Sequence, residues 1–226
     1  MKIRKNKQTL HKPLKSRIYR SPKMSETSVF TDGSVINNGR PDARGGVGIF
    51  FKDRDTRNCS EPFFFKPITN NRAELYAAIR AIQNFAQNSY WNPATQGFAK
   101  TRKYYDLRTK QLIVPKTKTI LHIYTDSEMV VNIIQKWIAI WKKSGWKTTD
   151  GKIVKNLDLI IQLYELIEYY HDHFYVMLHH TKAHRKELKQ TDPQYKEWYG
   201  NMIADRLSKM TYARQFKVPT STFYLK

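Results

Sequence analysis

Apolar and polar residues alternate along this chain in two periods. Ser28–Ser34, Gly45–Lys52 and Cys59–Lys66 are short runs rich in β-branched and aromatic residues, and they predict three strands with Asp53–Asn58 as a polar turn. The first strand is expected to end in the turn Thr31-Asp32-Gly33-Ser34. The period then changes. Leu75, Ile79, Ile82 and Phe85 recur at helical spacing and predict a helix over Thr69–Gln87, with Thr69 or Asn70 as its cap. Residues 88–118 break both patterns: they hold Pro93, Gly97 and Pro115, with seven basic residues and one acidic, and read as a long basic insertion. Ile120–Thr125 predicts a strand and Ser127–Trp141 a helix. Lys142–Lys155 is a basic turn region carrying Trp146. Ile153–Tyr170 predicts a second helix, Phe174–His180 a strand, and a last helix reaches about Met210. The order of three strands, helix, strand, helices, strand, helix is that of an α/β domain with a mixed sheet.

This pattern divides the chain into a basic extension over residues 1–27, a folded domain over 28–212 that includes the 88–118 insertion, and a C-terminal tail over 213–226. Residues 1–25 carry nine Lys or Arg and no acid. They lack hydrophobic periodicity and read as a flexible tail suited to a non-specific phosphate grip.

Charge narrows the functional classes. Forty Lys and Arg against 19 Asp and Glu leave +21 over 226 residues. Such an excess repels itself and suits a polyanionic partner, with nucleic acid ahead of an anionic membrane. No stretch approaches the ~20 apolar residues of a membrane span, and no apolar core follows the basic start as it does in a secretory leader. The single cysteine, Cys59, rules out an internal disulfide and fits a reducing compartment: nucleus, cytoplasm or mitochondrion. A monomer is expected.

Four acids are candidates for chemistry. Asp32 and Asp126 are each expected at the end of a strand, and parallel pairing of those strands would set them side by side. Glu74 lies in the first turns of the Thr69–Gln87 helix, and Asp205 adjoins the apolar stripe of the last helix. Clustered carboxylates raise one another's pKa unless a cation joins them, and an oxygen-only site selects magnesium or manganese. Two such ions can activate water and stabilise the leaving oxygen of a phosphodiester. Taken singly, each acid also fits as a turn former or helix cap, and spacing alone does not show that the four converge.

Over roughly residues 28–210 the chain resembles the type 1 ribonuclease H family. The resemblance rests on motifs in family order: Thr31-Asp32-Gly33-Ser34, Asn38-Gly39-Arg40, Gly45-Gly46-Val47-Gly48, Thr69-Asn70-Asn71-Arg72-Ala73-Glu74-Leu75, Tyr124-Thr125-Asp126-Ser127, Trp137 and Trp141 before Ser144-Gly145-Trp146-Lys147, Gly151-Lys152, Asn156, His184, and Gly200-Asn201 before Ala204-Asp205. It implies a ribonuclease-H-like fold with a five-stranded mixed sheet, flanking helices and a basic protrusion. It implies cleavage of the RNA strand of RNA–DNA hybrids, with 3′-hydroxyl and 5′-phosphate products. Two magnesium ions, or manganese in their place, would be held by Asp32, Glu74, Asp126 and Asp205, and His184 would stand as the loop histidine that assists proton transfer or product release. Asn38, Asn70 and Asn71 match positions that meet the hybrid's minor groove and RNA 2′-hydroxyls. Trp137, Trp141 and Thr149 match a DNA-strand channel, and Thr69 and Asn156 a DNA-phosphate pocket. The two tryptophans also fit as core residues, since helical aromatics commonly pack inward.

Three departures accompany these matches. Pro67 stands where the phosphate pocket often has an Arg, with Lys66 beside it as a point charge. The loop from His184 to Gly200 is longer than usual. Residues 88–118 are an unusual insertion. A non-catalytic nucleic-acid binder on the same fold is the alternative reading; it would be expected to have lost an acid, and all four are present. A zinc site among His171, His173, His179 and His180 is disfavoured, because alternation along a strand splits His179 from His180.

Overall fold

A strand covered on both faces carries apolar side chains at successive positions, and Val29-Phe30 does this at the centre of the sheet, both fully buried. The computed structural model describes residues 24–92, 97–98, 104–106, 111–113, 118–183 and 186–215. Strands β1 (Glu26–Ile36), β2 (Arg44–Phe50) and β3 (Cys59–Phe63) lead into helix α1 (Asn70–Tyr90). Short strands β4 (Trp91–Asn92) and β5 (Gly97–Phe98) pair with each other, as do β6 (Tyr104–Asp106) and β7 (Gln111–Ile113). Then come β8 (Thr119–Thr125), α2 (Glu128–Asn132), a π-helical turn (Ile133–Trp137), α3 (Ile138–Lys143), α4 (Leu157–Tyr170), β9 (Phe174–His180) and α5 (Tyr195–Gln215).

The main sheet has five strands in the order β3-β2-β1-β8-β9, antiparallel through β1 and parallel from β1 to β9. This is the mixed α/β sheet that the pattern predicts. Helices α1 and α4 cover one face, where Leu75, Ile79, Ile82, Leu159, Ile160 and Leu163 meet Val47, Ile49, Leu121 and Ile123. Each such side chain contributes ~1.5–3 kcal/mol of burial. Helix α5 covers the other face over β1, β2 and β3.

The contact with α5 is unusually close, because glycines meet small residues. A Cβ on Gly46 would lie 2.1 Å from the Ser208 carbonyl oxygen, and one on Gly48 would lie 2.0 Å from that of Ala204. A Cβ on Gly200 would strike the Phe30 ring at 2.3 Å. The four-residue spacing of Gly200, Ala204 and Ser208 therefore lays the α5 backbone directly on β1 and β2.

Several expected boundaries move. Asp32 is not at a strand end: β1 runs on to Ile36, and Asp32 pairs with Gly48 in mid-strand, because Thr31–Ile36 continues the ladder with β2. β1 also begins at Glu26, two residues before the expected domain start. β3 stops at Phe63 and leaves Phe64 and Phe65 exposed. The Ser127–Trp141 helix is a composite reaching Lys143, with a π-turn in which Ile133 and Ile138, five apart, are both buried. Ile153 is outside α4, exposed, and bridges to Lys147; the helix starts after Asn156, whose φ of 60° is left-handed. α5 runs to Gln215, past the expected helix end near Met210 and into the residues expected as a C-terminal tail. The expectations for residues 1–23 and for residues 216–226 of that tail lie outside the described residues, as does much of the 88–118 insertion.

Candidate active site

Three of the four candidate acids converge. Ligand oxygens of Asp32, Glu74 and Asp126 all lie within 4.8 Å of one another. Each is placed by a different feature of the fold. Parallel pairing of β1 with β8 sets Thr31 opposite Thr125, so Asp126, leaving the end of β8, stands beside Asp32. Glu74 arrives because residue 33 is glycine: a Cβ there would lie 2.3 Å from both Ala73 C and Glu74 N, so any side chain would push α1 away. The Gly33 N–H then donates to the Glu74 carboxylate. Thr125 Oγ1 lies 3.5 Å from Glu74 Oε2 and accepts the Ser127 N–H at 3.1 Å, which fixes the chain as it turns past Asp126.

Asp205 stands apart from the other three. Its carboxylate pairs with Lys209 one helical turn on, at 2.5 Å, and its side chain is 31% exposed. Its charge still reaches Asp32 and raises that group's pKa. The link between Asp205 and the trio is Ser208, a fully buried serine that sequence reasoning missed. Its hydroxyl bonds Asp32 Oδ2 and lies 2.8 Å from the Asp205 carbonyl and 2.9 Å from Ser34 Oγ. The signal for it was present: a hydroxyl at the third position after Asp205, on the stripe of small residues that meets the sheet. Lys209 was missed as well.

The electrostatics are those of three acids that oppose one another's ionisation. Burial, and then the charges of Asp126 and Asp205, push Asp32 from 3.8 up to about 6, against the opposing Ser208 hydrogen bond. Burial pushes Glu74 well above its ordinary range, with Asp32 and Asp126 adding to the effect. An all-oxygen donor set whose members resist ionising together fits a hard divalent ion, which removes the mutual repulsion.

The other candidates differ in exposure. Asn38, Asn70 and Asn71 are exposed where the β1–β2 turn meets the start of α1, and Asn38 Oδ1 accepts the Asn70 N–H at 3.1 Å. Thr69 and Asn156 are half-buried. Trp137 and Trp141 are neither free nor fully buried: they rest on the core with ring centroids 5.6 Å apart. Thr149 is exposed beyond them. His184 lies outside the described residues. A different histidine, His180, places Nε2 3.2 Å from the Asp126 carbonyl oxygen. His179 faces the other way and meets His122, ring nitrogens 2.8 Å apart.

The RNase H family model matches residues 24–94 and 107–212, most of the chain. The chain belongs to the ribonuclease H family. The coarse activity follows from this membership: an enzyme of the hydrolase class acting on RNA–DNA hybrids. Among curated relatives, ribonuclease HI of Haemophilus ducreyi is 30% identical over 188 residues, covering 83% of this chain and 90% of that one. Ribonuclease H of Schizosaccharomyces pombe is 32% identical over 181 residues, covering 80% of this chain but 51% of that protein, so this chain spans about half the length of that relative. Among solved structures, the PFV RNase H domain superposes with a TM-score of 0.53 at 20% identity, covering 84% of this chain and 97% of that one. LC9-RNase H1, titled a type 1 RNase H with the type 2 active-site motif, gives 0.52 at 19%, covering 88% and 76%. These two likenesses support the ribonuclease-H-like fold. Among the described residues, no helix is long and apolar enough to cross a membrane.

Proposed function

We propose that the chain is an endonuclease that hydrolyses the RNA strand of RNA–DNA hybrids with two divalent metal ions, leaving 3′-hydroxyl and 5′-phosphate ends. The observation that carries this reading is the convergence of Asp32, Glu74 and Asp126, whose oxygens share a 4.8 Å neighbourhood in a chain of net charge +21. Those three residues, joined by Asp205 once it leaves Lys209, would hold the ions. Magnesium, when bound, supplies activation of the attacking water and charge stabilisation of the leaving oxygen.

The chain's own groups do the remaining work. Ser208 holds the Asp32 carboxylate in one orientation, and the Gly33 N–H does the same for Glu74. Asn38, Asn70 and Asn71 offer amide donors and acceptors beside the cluster, as recognition of a 2′-hydroxyl requires. Trp137 and Trp141 offer partly exposed ring faces to sugar and base on the DNA strand, with Thr149 nearby in sequence. Thr69 and Asn156 stand as the phosphate contacts, and His184 as the group that moves a proton or aids product release.

The test is a gel assay of end-labelled RNA–DNA, RNA–RNA and DNA–DNA duplexes with magnesium or with EDTA. Only the RNA of the hybrid should be cut, and only with metal. Cutting in EDTA, or equal cutting of all three duplexes, overturns the reading.

A further inference from the structure

A residue that steps off the end of a strand loses the ladder bonds that hold its neighbours, and Asp126 is in that position. The pairing of β1 with β8 ends at Thr31 and Thr125, and that of β8 with β9 ends at Thr125 and His180. Asp126 comes next, and α2 takes up the chain only at Glu128. The direction in which Asp126 projects its carboxylate is therefore set by the two planar peptide units that flank it.

Both planes are held from outside the residue. The plane before Asp126 contains the Thr125 carbonyl, which accepts the Thr181 N–H at 2.8 Å. The plane after it contains the Asp126 carbonyl and the Ser127 N–H. The Ser127 N–H donates to Thr125 Oγ1 at 3.1 Å, and the Asp126 carbonyl lies 3.2 Å from His180 Nε2. A carbonyl oxygen only accepts, so Nε2 carries the hydrogen of this bond. Alternation along β9 directs the ring: His179 meets His122 on one face, and His180 on the other face reaches the turn after β8. His180 is not among the groups that share the 4.8 Å neighbourhood of the three carboxylates, so its route to the chemistry runs through the main chain of Asp126. Thr125 Oγ1 also lies against Glu74, which makes His180 the cleaner of the two side chains to remove.

We infer that His180 is a positioning residue of the active site: its Nε2–H locks the peptide after Asp126 and so keeps the Asp126 carboxylate within reach of Asp32 and Glu74. The inference rests on the metal-dependent reading above and adds a residue to it.

The experiment pairs steady-state cleavage of an RNA–DNA hybrid in magnesium with calorimetric titration of manganese into the hybrid-free protein. It compares the wild-type chain with His180→Ala, His180→Gln and Met177→Ala. Groups that orient a metal ligand cost ~10–100-fold when removed, so in His180→Ala kcat should fall at least about tenfold, with KM for the hybrid within about twofold, and manganese should bind about tenfold more weakly. Gln carries an amide N–H at about the reach of Nε2 and has no ring, so His180→Gln should return both values to within about threefold of wild type. Met177→Ala, exposed on the same strand but on the opposite face, should match wild type in both. Because His180 is exposed, the melting temperature of His180→Ala should shift by no more than about 4 °C.

Wild-type turnover and manganese affinity in His180→Ala overturn the inference. A loss in His180→Gln as deep as in His180→Ala also overturns it, since the imidazole would then act on the substrate itself and not through Asp126. A loss confined to KM places His180 on the hybrid and overturns it too, and so does a large drop in melting temperature in both variants, which would make the residue structural. If the wild-type chain does not cut the hybrid, the proposed function falls, while the manganese titration still judges His180; if it cuts normally and the His180 variants match it, the role of His180 alone is refuted.

Discussion

Replacing Asp32 by Asn should make the metal-free protein more stable while destroying its activity. Asp32 is 5% exposed, and its carboxyl is pushed from 3.8 to about 6 by burial, then by Asp126 and Asp205. The folded state therefore holds its proton more tightly than the unfolded state does. Below pH 3.8 both states are protonated and the site costs nothing. Between 3.8 and about 6 stability falls as pH rises, and above 6 the full penalty is present. The interval corresponds to about 3 kcal/mol. Asn keeps an oxygen for the Ser208 hydroxyl and carries no charge, so the variant escapes that penalty. For a domain of this size about 3 kcal/mol is a rise in Tm of roughly 6–12 °C, as a ceiling. The assay is thermal melting of both proteins in EDTA near pH 4 and near pH 8. The variant should melt higher at pH 8, and the gap should close near pH 4. Magnesium should raise the wild-type Tm more than the variant's, since it binds the native carboxylates. A variant that melts below wild type at pH 8 in EDTA would refute the reasoning, and so would a gap independent of pH.

Other substitutions separate architecture from chemistry. Gly33→Ala puts a Cβ 2.3 Å from the α1 backbone and should cost at least about 1–3 kcal/mol in denaturant melts, with activity lost as Glu74 retreats. Asp205→Asn removes the pair with Lys209 and also the repulsion of Asp32, two small effects of opposite sign, so stability should change by less than about 1 kcal/mol while kcat falls by orders of magnitude; a large stability loss with normal turnover would make Asp205 structural. Ser208→Ala removes a bond that lowers the Asp32 pKa, so the acidic limb of the kcat/KM profile should move to higher pH; an unmoved limb would detach Ser208 from the site. His184→Ala should lower turnover more than affinity in steady-state kinetics, and an unaltered kcat would exclude that residue.

The pattern of apolar positions was enough for the strand order of types and for the helices that cover the sheet, because Leu75, Ile79, Ile82 and the runs at 28–34 and 120–125 carry their periods plainly. It was not enough for the end of β1. Asp-Gly-Ser is turn chemistry by local propensity, and only pairing with Gly46–Gly48 holds those residues extended. The π-turn at Ile133–Trp137 was also hidden, since it is settled by which isoleucines reach the core and not by local preference. At the site, Asp32, Glu74 and Asp126 were legible as types and as family matches, but their meeting depends on Gly33, whose role is a backbone contact 40 residues away. Ser208 and Lys209 were legible only once α5 was known to lie on the glycines of β2.

Calorimetric titration of manganese most directly tests whether these carboxylates hold a divalent ion. The wild-type chain should show saturable binding, weakened at least tenfold in Asp126→Asn and in Glu74→Gln, with both variants folded by circular dichroism. Identical isotherms for all three proteins, or no binding to the wild type at any concentration, would contradict a metal-holding role for Asp32, Glu74 and Asp126.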